Sequence, residues 1–321
     1  MVNLTELPVN LTSPRDLSMI IKVCVVIPFF CSFLYCIVVM LYIFASHRQF
    51  LDSSRYILFA YMLINDTVQL LVSVLLFFLV MGQVKFALVY CVPLLFISNT
   101  AFQNTPLILA TMSLERYVAI IYPLQCPPAW RSDRIWIIIL SVWILSCVCT
   151  ITECSIGPQK NAVDNLYIPV VCADSIVNSS PIQTLFKTVV NILCFAAVAV
   201  IILFTYVRIL LQTRKLRQDR TSVSKAMNTV LLHGFQLLLC MLALTIPITE
   251  SLIVLSTNWQ RKDIAFFNFF CFVLIPHFLS PLIYGFRDQS FRSYIWKTFF
   301  CCLKRVKPSV KSVIQNNLFA S

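Results

Sequence analysis

The chain has few charged residues and few glycines. Only 12% of its 321 residues are Asp, Glu, Lys or Arg, whereas soluble globular domains carry roughly 25%. Hydrophobic residues make up 59% of the chain, so the composition excludes an ordinary soluble domain and indicates a membrane protein. Glycine occurs only four times, which leaves the backbone with little of the conformational freedom that this residue provides.

The sequence also lacks the patterns that mark enzymes and transporters. It contains three histidines and shows neither a metal-ligand spacing nor a nucleophile motif, so we expect no catalytic activity, no cofactor and no metal ion. The two halves of the chain do not repeat each other, and charges inside the hydrophobic segments are few. Both observations argue against a transporter or a channel, which stays the alternative from a different functional class.

Long segments with little or no charge divide the chain. A membrane-spanning helix needs about 20 apolar residues, and the runs are continuous rather than alternating, which favours helices over strands. The predicted fold class is therefore an all-α membrane protein with a bundle of seven transmembrane helices. In chain order, the segments are 23–47, 56–84 with Asp66 inside it, 86–114, 135–152, 188–207, 226–249 and 264–286.

Lys and Arg concentrate in the loops on one side of these segments. The positive-inside rule places that side in the cytoplasm and the N-terminus outside. The net charge of +12 then reflects membrane orientation, and we expect no nucleic-acid partner because no soluble basic module is present. Residues 1–17 have no apolar core, so we expect no cleavable signal peptide. Three glycosylation acceptors fall on the predicted outer side: Asn3, Asn10 and Asn178.

The third segment ends in two opposite charges. Glu115, Arg116 and Tyr117 follow the run 86–114, which contains no charged residue, and Pro123 comes soon after them. The simplest interpretation is a pair of solvated charges at the membrane face, which would contribute little energy.

The residues around this triplet resemble the rhodopsin-like, or class A, G-protein-coupled receptors. Within that class, residues 112–120 followed by Tyr122-Pro123-Leu124 are similar to the motif of the odorant receptors at the inner end of their third helix. Residues 225–233 resemble the start of their sixth helix, and residues 281–287 resemble the end of their seventh. Cys36, Val230 and Ser280 differ from the usual odorant-receptor residues, which points to a divergent, fish-type branch.

The resemblance implies roles for particular residues. A disulfide would join Cys91 to Cys172. Asp66 would correspond to a sodium-binding acid, but the residues at Cys36 and Ser280 remove its polar partners, which argues against a sodium site. An activation switch that contacts a heterotrimeric G protein would comprise Glu115, Arg116, Tyr117, Tyr206, His233 and Tyr284.

Two of these roles have simpler alternatives. Tyr206 and Tyr284 could be ordinary interfacial tyrosines, and His233 could be a histidine hydrogen-bonded within the bundle rather than a resting-state contact of Arg116.

A ligand pocket is expected in the outer half of the bundle. Ser98 and Phe102 are four residues apart, as are Asn99 and Gln103, so each pair shares a helix face. Polar groups among aromatic ones suit a small, partly polar ligand, although such groups also form ordinary bonds between helices. Glu250 is a further ligand candidate; its alternative, like that of Glu153, is a side chain that reaches out to water.

The C-terminal part is expected to contact the membrane surface. Residues 288–300 interleave aromatic and basic residues, which predicts an amphipathic helix on the inner leaflet in contact with membrane lipids. Cys301 and Cys302 are palmitoylation candidates. The predicted organisation is an outer tail 1–18, a receptor domain 19–287, the surface helix 288–300 and a cytoplasmic tail 301–321.

The sequence thus resembles an odorant receptor of the plasma membrane. The resemblance implies a small odorant as ligand, a stimulatory G protein of the olfactory type as partner, and a location in olfactory sensory neurons. The alternative within the same class is a receptor for an endogenous lipid or peptide.

Overall fold

Helices make up almost all of the described structure. The computed structural model describes residues 14–122, 127–156, 167, 169–172, 180–216, 231, 234–239, 241–242, 261–279, 281 and 292–294. The helices are α1 (Pro14–Ser46), α2 (Arg48–Leu51), α3 (Ser54–Met81), α4 (Leu88–Ile121), α5 (Ile135–Ser155), α6 (Pro181–Leu216) and α7 (Arg261–Asn268). A 3-10 turn covers Pro128–Trp130, a π-helical turn covers Phe269–Leu274, and two short strands are β1 (Lys85–Ala87) and β2 (Pro169–Val171).

The helices coincide with the predicted hydrophobic segments, although their bounds differ. Helices α1, α3, α4, α5 and α6 overlap the first five segments, and α7 with its π-helical turn overlaps the seventh. Two of them begin at a proline, Pro14 and Pro181, a residue that is tolerated at the first helical position because its missing N–H has no partner there anyway. Helix α1 therefore starts inside the predicted N-terminal tail 1–18.

Four helices in the described residues are long and apolar enough to cross a membrane: Leu17–Ser46, Ser54–Met81, Ile135–Ser155 and Pro181–Gln212. Helix α4 is equally long but more polar. Its polar residues Thr100, Gln103, Asn104 and Thr105 are buried, so they face neighbouring helices instead of lipid.

A hydrogen-bond network joins α3 to α4 and explains this polarity. Asn104 Nδ2 donates to Tyr61 Oη at 2.7 Å and to Asn65 Oδ1 at 2.8 Å. Asn65 Nδ2 donates to Thr105 Oγ1 at 3.0 Å, and the Thr105 hydroxyl lies 3.4 Å from Gln69 Oε1. Interhelical bonds of this kind hold transmembrane helices together where no hydrophobic force acts between them.

Apolar packing fills the rest of the interior. Phe33, Met62, Leu109 and Phe195 belong to one core cluster that connects α1, α3, α4 and α6. Large apolar side chains also cover the outside of the bundle, as at Trp143, which is 50% exposed. This distribution suits a protein whose surroundings are lipid.

A small antiparallel sheet lies next to the start of α4. Strands β1 and β2 pair with Phe86 opposite Val170. Cys91 and Cys172 form a disulfide, as the resemblance implied, and both are completely buried. The bond ties the segment that carries β2 to the first turn of α4.

Candidate functional site

The end of α4 that the positive-inside rule predicts to face the cytoplasm carries a buried charge pair; 'inner' and 'outer' below follow this predicted orientation. Glu115 is only 7% exposed, and its Oε2 lies 3.5 Å from Arg116 Nε. The Ser54 hydroxyl, in the first turn of α3, donates to Glu115 Oε1 at 3.1 Å, and the charge of Arg55 also acts on this carboxyl. The interpretation as a solvated surface pair does not hold for Glu115, because this carboxylate is buried and the first turn of α3 contacts it.

Local sequence places this pair deep in the helix. Helix α4 continues beyond Arg116 to Ile121, and the N–H of Tyr122 still donates to the Val118 carbonyl at 2.9 Å. Since the last helical turn comes after the pair, Glu115 and Arg116 do not lie at a frayed helix end. Burying two charges costs several kcal/mol per ion, which only close partners such as Ser54 offset.

The next residue connects the pair to α6. The Tyr117 ring lies 5.8 Å from the Phe204 ring and 6.4 Å from the Tyr122 ring. Tyr206 is half-buried on α6 and packs against the main core cluster. Four of the six predicted switch residues are described, and they lie on two helices that touch each other.

A fragment of the predicted surface helix also reaches this end of the bundle. Residues 292–294 are helical, and the Tyr294 ring lies 4.2 Å from the His47 ring and 5.8 Å from that of Phe50. The Tyr294 hydroxyl accepts a hydrogen bond from Gln49 Nε2 at 3.2 Å. The inner loop between α1 and α3 is thus covered by the chain that follows the seventh span.

In the outer half, two of the predicted ligand residues face α6. Asn99 Oδ1 accepts a hydrogen bond from Lys187 Nζ at 3.4 Å. One turn further inward, the Phe102 ring lies 6.1 Å from the ring of Phe195. These two residues come from different predicted pairs, so α6 contacts one member of the pair Ser98/Phe102 and one of the pair Asn99/Gln103.

The other predicted residues are less informative. Ser98 is half-buried, and Gln103 is 8% exposed. The remaining predicted site residues lie outside the described part of the chain: Asn3, Asn10, Asn178, His233, Glu250, Tyr284, Cys301 and Cys302.

Sequence analysis missed a buried ion pair in this outer half. Lys187 Nζ lies 3.2 Å from Glu153 Oε1, and Gln183 Nε2 donates to the Glu153 carbonyl at 3.1 Å. Glu153 is only 2% exposed, so the expectation that it reaches water is wrong. The signal that could have found this pair is the four-residue spacing of Gln183, Lys187 and Asn191, which puts three polar residues on one face of α6.

A second missed residue faces the buried acid of α3. His277 Nδ1 lies 3.5 Å from Asp66 Oδ1, and both side chains are buried. Sodium-like hard cations prefer sets of oxygen ligands, whereas this carboxylate faces an imidazole nitrogen. The contact with His277 therefore argues against a sodium ion at Asp66.

A further ion pair lies at the outer end of the helix bundle. Lys22 on α1 pairs with Asp263 on α7, and the Lys22 ammonium lies 5.9 Å from the centre of the Phe266 ring. This pair brings the first and the last described transmembrane helices together.

Comparison with known proteins agrees with these features. The model of the "7 transmembrane receptor (rhodopsin family)" matches residues 35–284. Odorant receptor 131-2 of Danio rerio is 28% identical over 198 residues, which cover 61% of this chain and 61% of that receptor. Tachykinin-like peptides receptor 86C of Drosophila melanogaster is 22% identical over 283 residues, covering 82% of this chain and 55% of that receptor. The chain thus spans less than two thirds of the length of either relative.

The family match covers well over half of the chain and includes every described element from the middle of α1 to the π-helical turn. It accounts for the membrane-spanning helices. The chain belongs to the rhodopsin family of seven-transmembrane receptors, and it is a multi-pass membrane receptor with a bundle of seven helices rather than an enzyme.

Proposed function

We propose that this receptor binds a small odorant in the outer half of its helix bundle and then activates a heterotrimeric G protein at its inner face. The G protein would be the stimulatory olfactory type, and the cell an olfactory sensory neuron. The observation that carries the proposal is the buried Glu115–Arg116 pair, which Ser54 holds against α3. The similarity to the Danio rerio odorant receptor supports the ligand class.

The inner charge pair can work as a switch because it depends on two helices. In the resting state, Glu115 binds both Arg116 and Ser54, so α3 and α4 stay together at their inner ends. A state in which α4 moves away from α3 breaks the bond from Ser54 and leaves Arg116 available to a partner protein. A ligand that binds better to this second state shifts the population toward it.

A ligand bound in the outer half can shift this equilibrium, because the residues there contact two helices. Asn99 and Phe102 on α4 touch Lys187 and Phe195 on α6, so a small molecule between these helices would contact both. Helix α4 runs from this contact to the inner pair. A shift of α4 therefore changes contacts at both of its ends.

A second candidate function is recognition of an endogenous peptide. The Drosophila melanogaster peptide receptor aligns with more of this chain than the odorant receptor does. Both candidates share the inner switch and differ only in the ligand.

A signalling screen separates the two candidates. Cells that express the full chain, the stimulatory olfactory G protein and a cyclic-AMP reporter are exposed to small amines, acids, steroids and alcohols, and separately to tachykinin-like peptides. We expect responses to small molecules alone. Responses restricted to peptides would replace the odorant proposal by the second candidate.

A pair of arginine variants tests the switch in the same cells. Arg116→Ala should abolish the response at normal surface expression, because it removes the buried cation of the pair. Arg131→Ala is the matched control: Arg131 also lies on the inner side near an acid, but the side chains of Arg131 and Asp133 are 66% and 77% exposed. Equal responses from both variants would show that the inner pair has no role in coupling.

A further inference from the structure

One face of α6 changes from polar to apolar along its length. Gln183, Lys187, Asn191 and Phe195 follow one another at four-residue spacing, so they lie on one face. Gln183 is 1% exposed, Asn191 is 6% exposed and Phe195 is 1% exposed. This face is turned toward the neighbouring helices, and its polar part lies at the outer end.

Lys187 is held at the junction of three helices. Its ammonium lies 3.2 Å from Glu153 on α5 and 3.4 Å from Asn99 on α4. Charged residues within membrane helices are costly and mark substrate or ligand sites by default. The Lys187 side chain is 19% exposed and that of Glu153 only 3%, so Lys187 is the member of the pair that another molecule can reach.

The orientation of Asn99 adds a second donor. A lysine ammonium only donates hydrogen bonds, so the Asn99 oxygen must point toward Lys187. The Asn99 amide NH2 then points away from Lys187 and offers its hydrogens to a third group. Two donors, one of them charged, suit an acceptor with negative charge.

Aromatic groups lie further inward on the same two helices, about one turn from Asn99 and about two turns from Lys187. Both α4 and α6 run inward from the outer side, and Phe102 and Phe195 follow Asn99 and Lys187 in that direction. Their rings are 6.1 Å apart, and Phe195 belongs to the main core cluster. A ligand at this position would meet polar donors at its outer end and apolar rings at its inner end.

We propose that Lys187 and Asn99 bind the carboxylate of a small organic acid, whose hydrocarbon part packs against Phe102 and Phe195. Glu153 holds Lys187 in position until the ligand carboxylate joins it. This inference rests on the proposed function, since it names the ligand class of the same outer site.

Ligand binding is measured without signalling. The purified full-length receptor is unfolded thermally with a straight-chain carboxylic acid, and with the alcohol, the methyl ester and the amine of the same carbon chain. We expect the acid to stabilise the receptor at concentrations about tenfold or more below those of the other three. An acid that stabilises no better than its ester or alcohol would overturn the proposal.

Three variants locate the effect. Lys187→Met replaces the ammonium by an uncharged, unbranched side chain that is one atom shorter, and it should remove the preference for the acid. Lys22→Met is the matched control, because Lys22 is also an outer lysine that pairs with an acid of another helix, and it should keep the preference. The exchange of both charges, Lys187→Glu with Glu153→Lys, retains an ion pair and should transfer the preference from the acid to the amine.

The charge exchange separates binding from structural support. If the pair served stability alone, the exchanged receptor would still prefer the acid, and this result would refute a ligand contact at Lys187. An acid that stabilises the purified receptor but gives no cyclic-AMP response would contradict the proposed signalling function and leave the ligand class standing. Cyclic-AMP responses to alcohols or amines, together with no binding of acids, would overturn the proposed ligand class and leave the signalling function standing.

Discussion

Ser54→Ala tests whether the buried pair at the inner end of α4 holds the receptor in its resting state. The change deletes the hydroxyl that donates to Glu115 Oε1 at 3.1 Å and leaves the backbone of α3 undisturbed, because alanine is a good helix former. Glu115 remains buried with one partner fewer. The substitution does not change the free energy of a state in which Glu115 has separated from α3, because the Ser54 hydrogen bond is already absent there.

The size of the effect follows from this hydrogen bond. Bonds to charged groups contribute about 1.5–3 kcal/mol, and half-buried Ser54 belongs at the lower end, about 1.5 kcal/mol. Each 1.4 kcal/mol changes an equilibrium about tenfold. If about 1% of the ligand-free receptor is active, the variant should raise this fraction to about 10%.

The measurement is ligand-free cyclic AMP, normalised to receptor labelled at the cell surface. Ser53→Ala is the matched control. Ser53 precedes Ser54 at the N-cap of α3, and it makes no side-chain capping bond in the described structure. We expect Ser53→Ala to signal like the wild type. Unchanged basal signalling in Ser54→Ala, or an equal rise in Ser53→Ala, would refute a resting-state role for this bond.

Two further predictions concern stability. Cys91→Ser should lower the free energy of unfolding by about 2–5 kcal/mol because it removes the disulfide. In the same chemical denaturation experiment, Cys147→Ser, which changes a free cysteine of α5, should lower it much less. Equal losses would contradict a structural role for the bond. Asn104→Ala should cost about 1–2 kcal/mol because it removes two bonds between α3 and α4. Thr152→Ala is the control and should be nearly neutral, since the exposed Thr152 hydroxyl bonds to a carbonyl of its own helix. Indistinguishable thermal stabilities of the Asn104→Ala and Thr152→Ala receptors would refute the importance of the network.

The positions of the helices could be predicted from the sequence, but their ends could not. Runs without charge located α1, α3, α4, α5 and α6, because lipid excludes charges that have no partner. The fifth run was placed at 188–207, whereas α6 covers Pro181–Leu216. The reason is Lys187: charge counting treats a lysine as the border of a span, yet Glu153 and Asn99 compensate it inside the bundle.

From the sequence, candidate residues could be placed on one helix, but the neighbour that they contact could not be decided. The four-residue spacing groups Ser98 with Phe102 and Asn99 with Gln103, whereas the structure brings one member of each pair, Asn99 and Phe102, into contact with α6. Pairs between helices were not predictable in this way. The sequence cannot say which face of the seventh span meets α3, so the contact between His277 and Asp66 was missed.

The order of synthesis gives the pair of Lys22 and Asp263 a second meaning. These residues are 241 positions apart, so Lys22 enters the membrane long before its counter-charge has been made. During this time, the lysine of the first helix must be compensated by water, lipid headgroups or an assisting protein. The pair can close only when the last helix arrives, and it therefore distinguishes a completed bundle from every shorter intermediate.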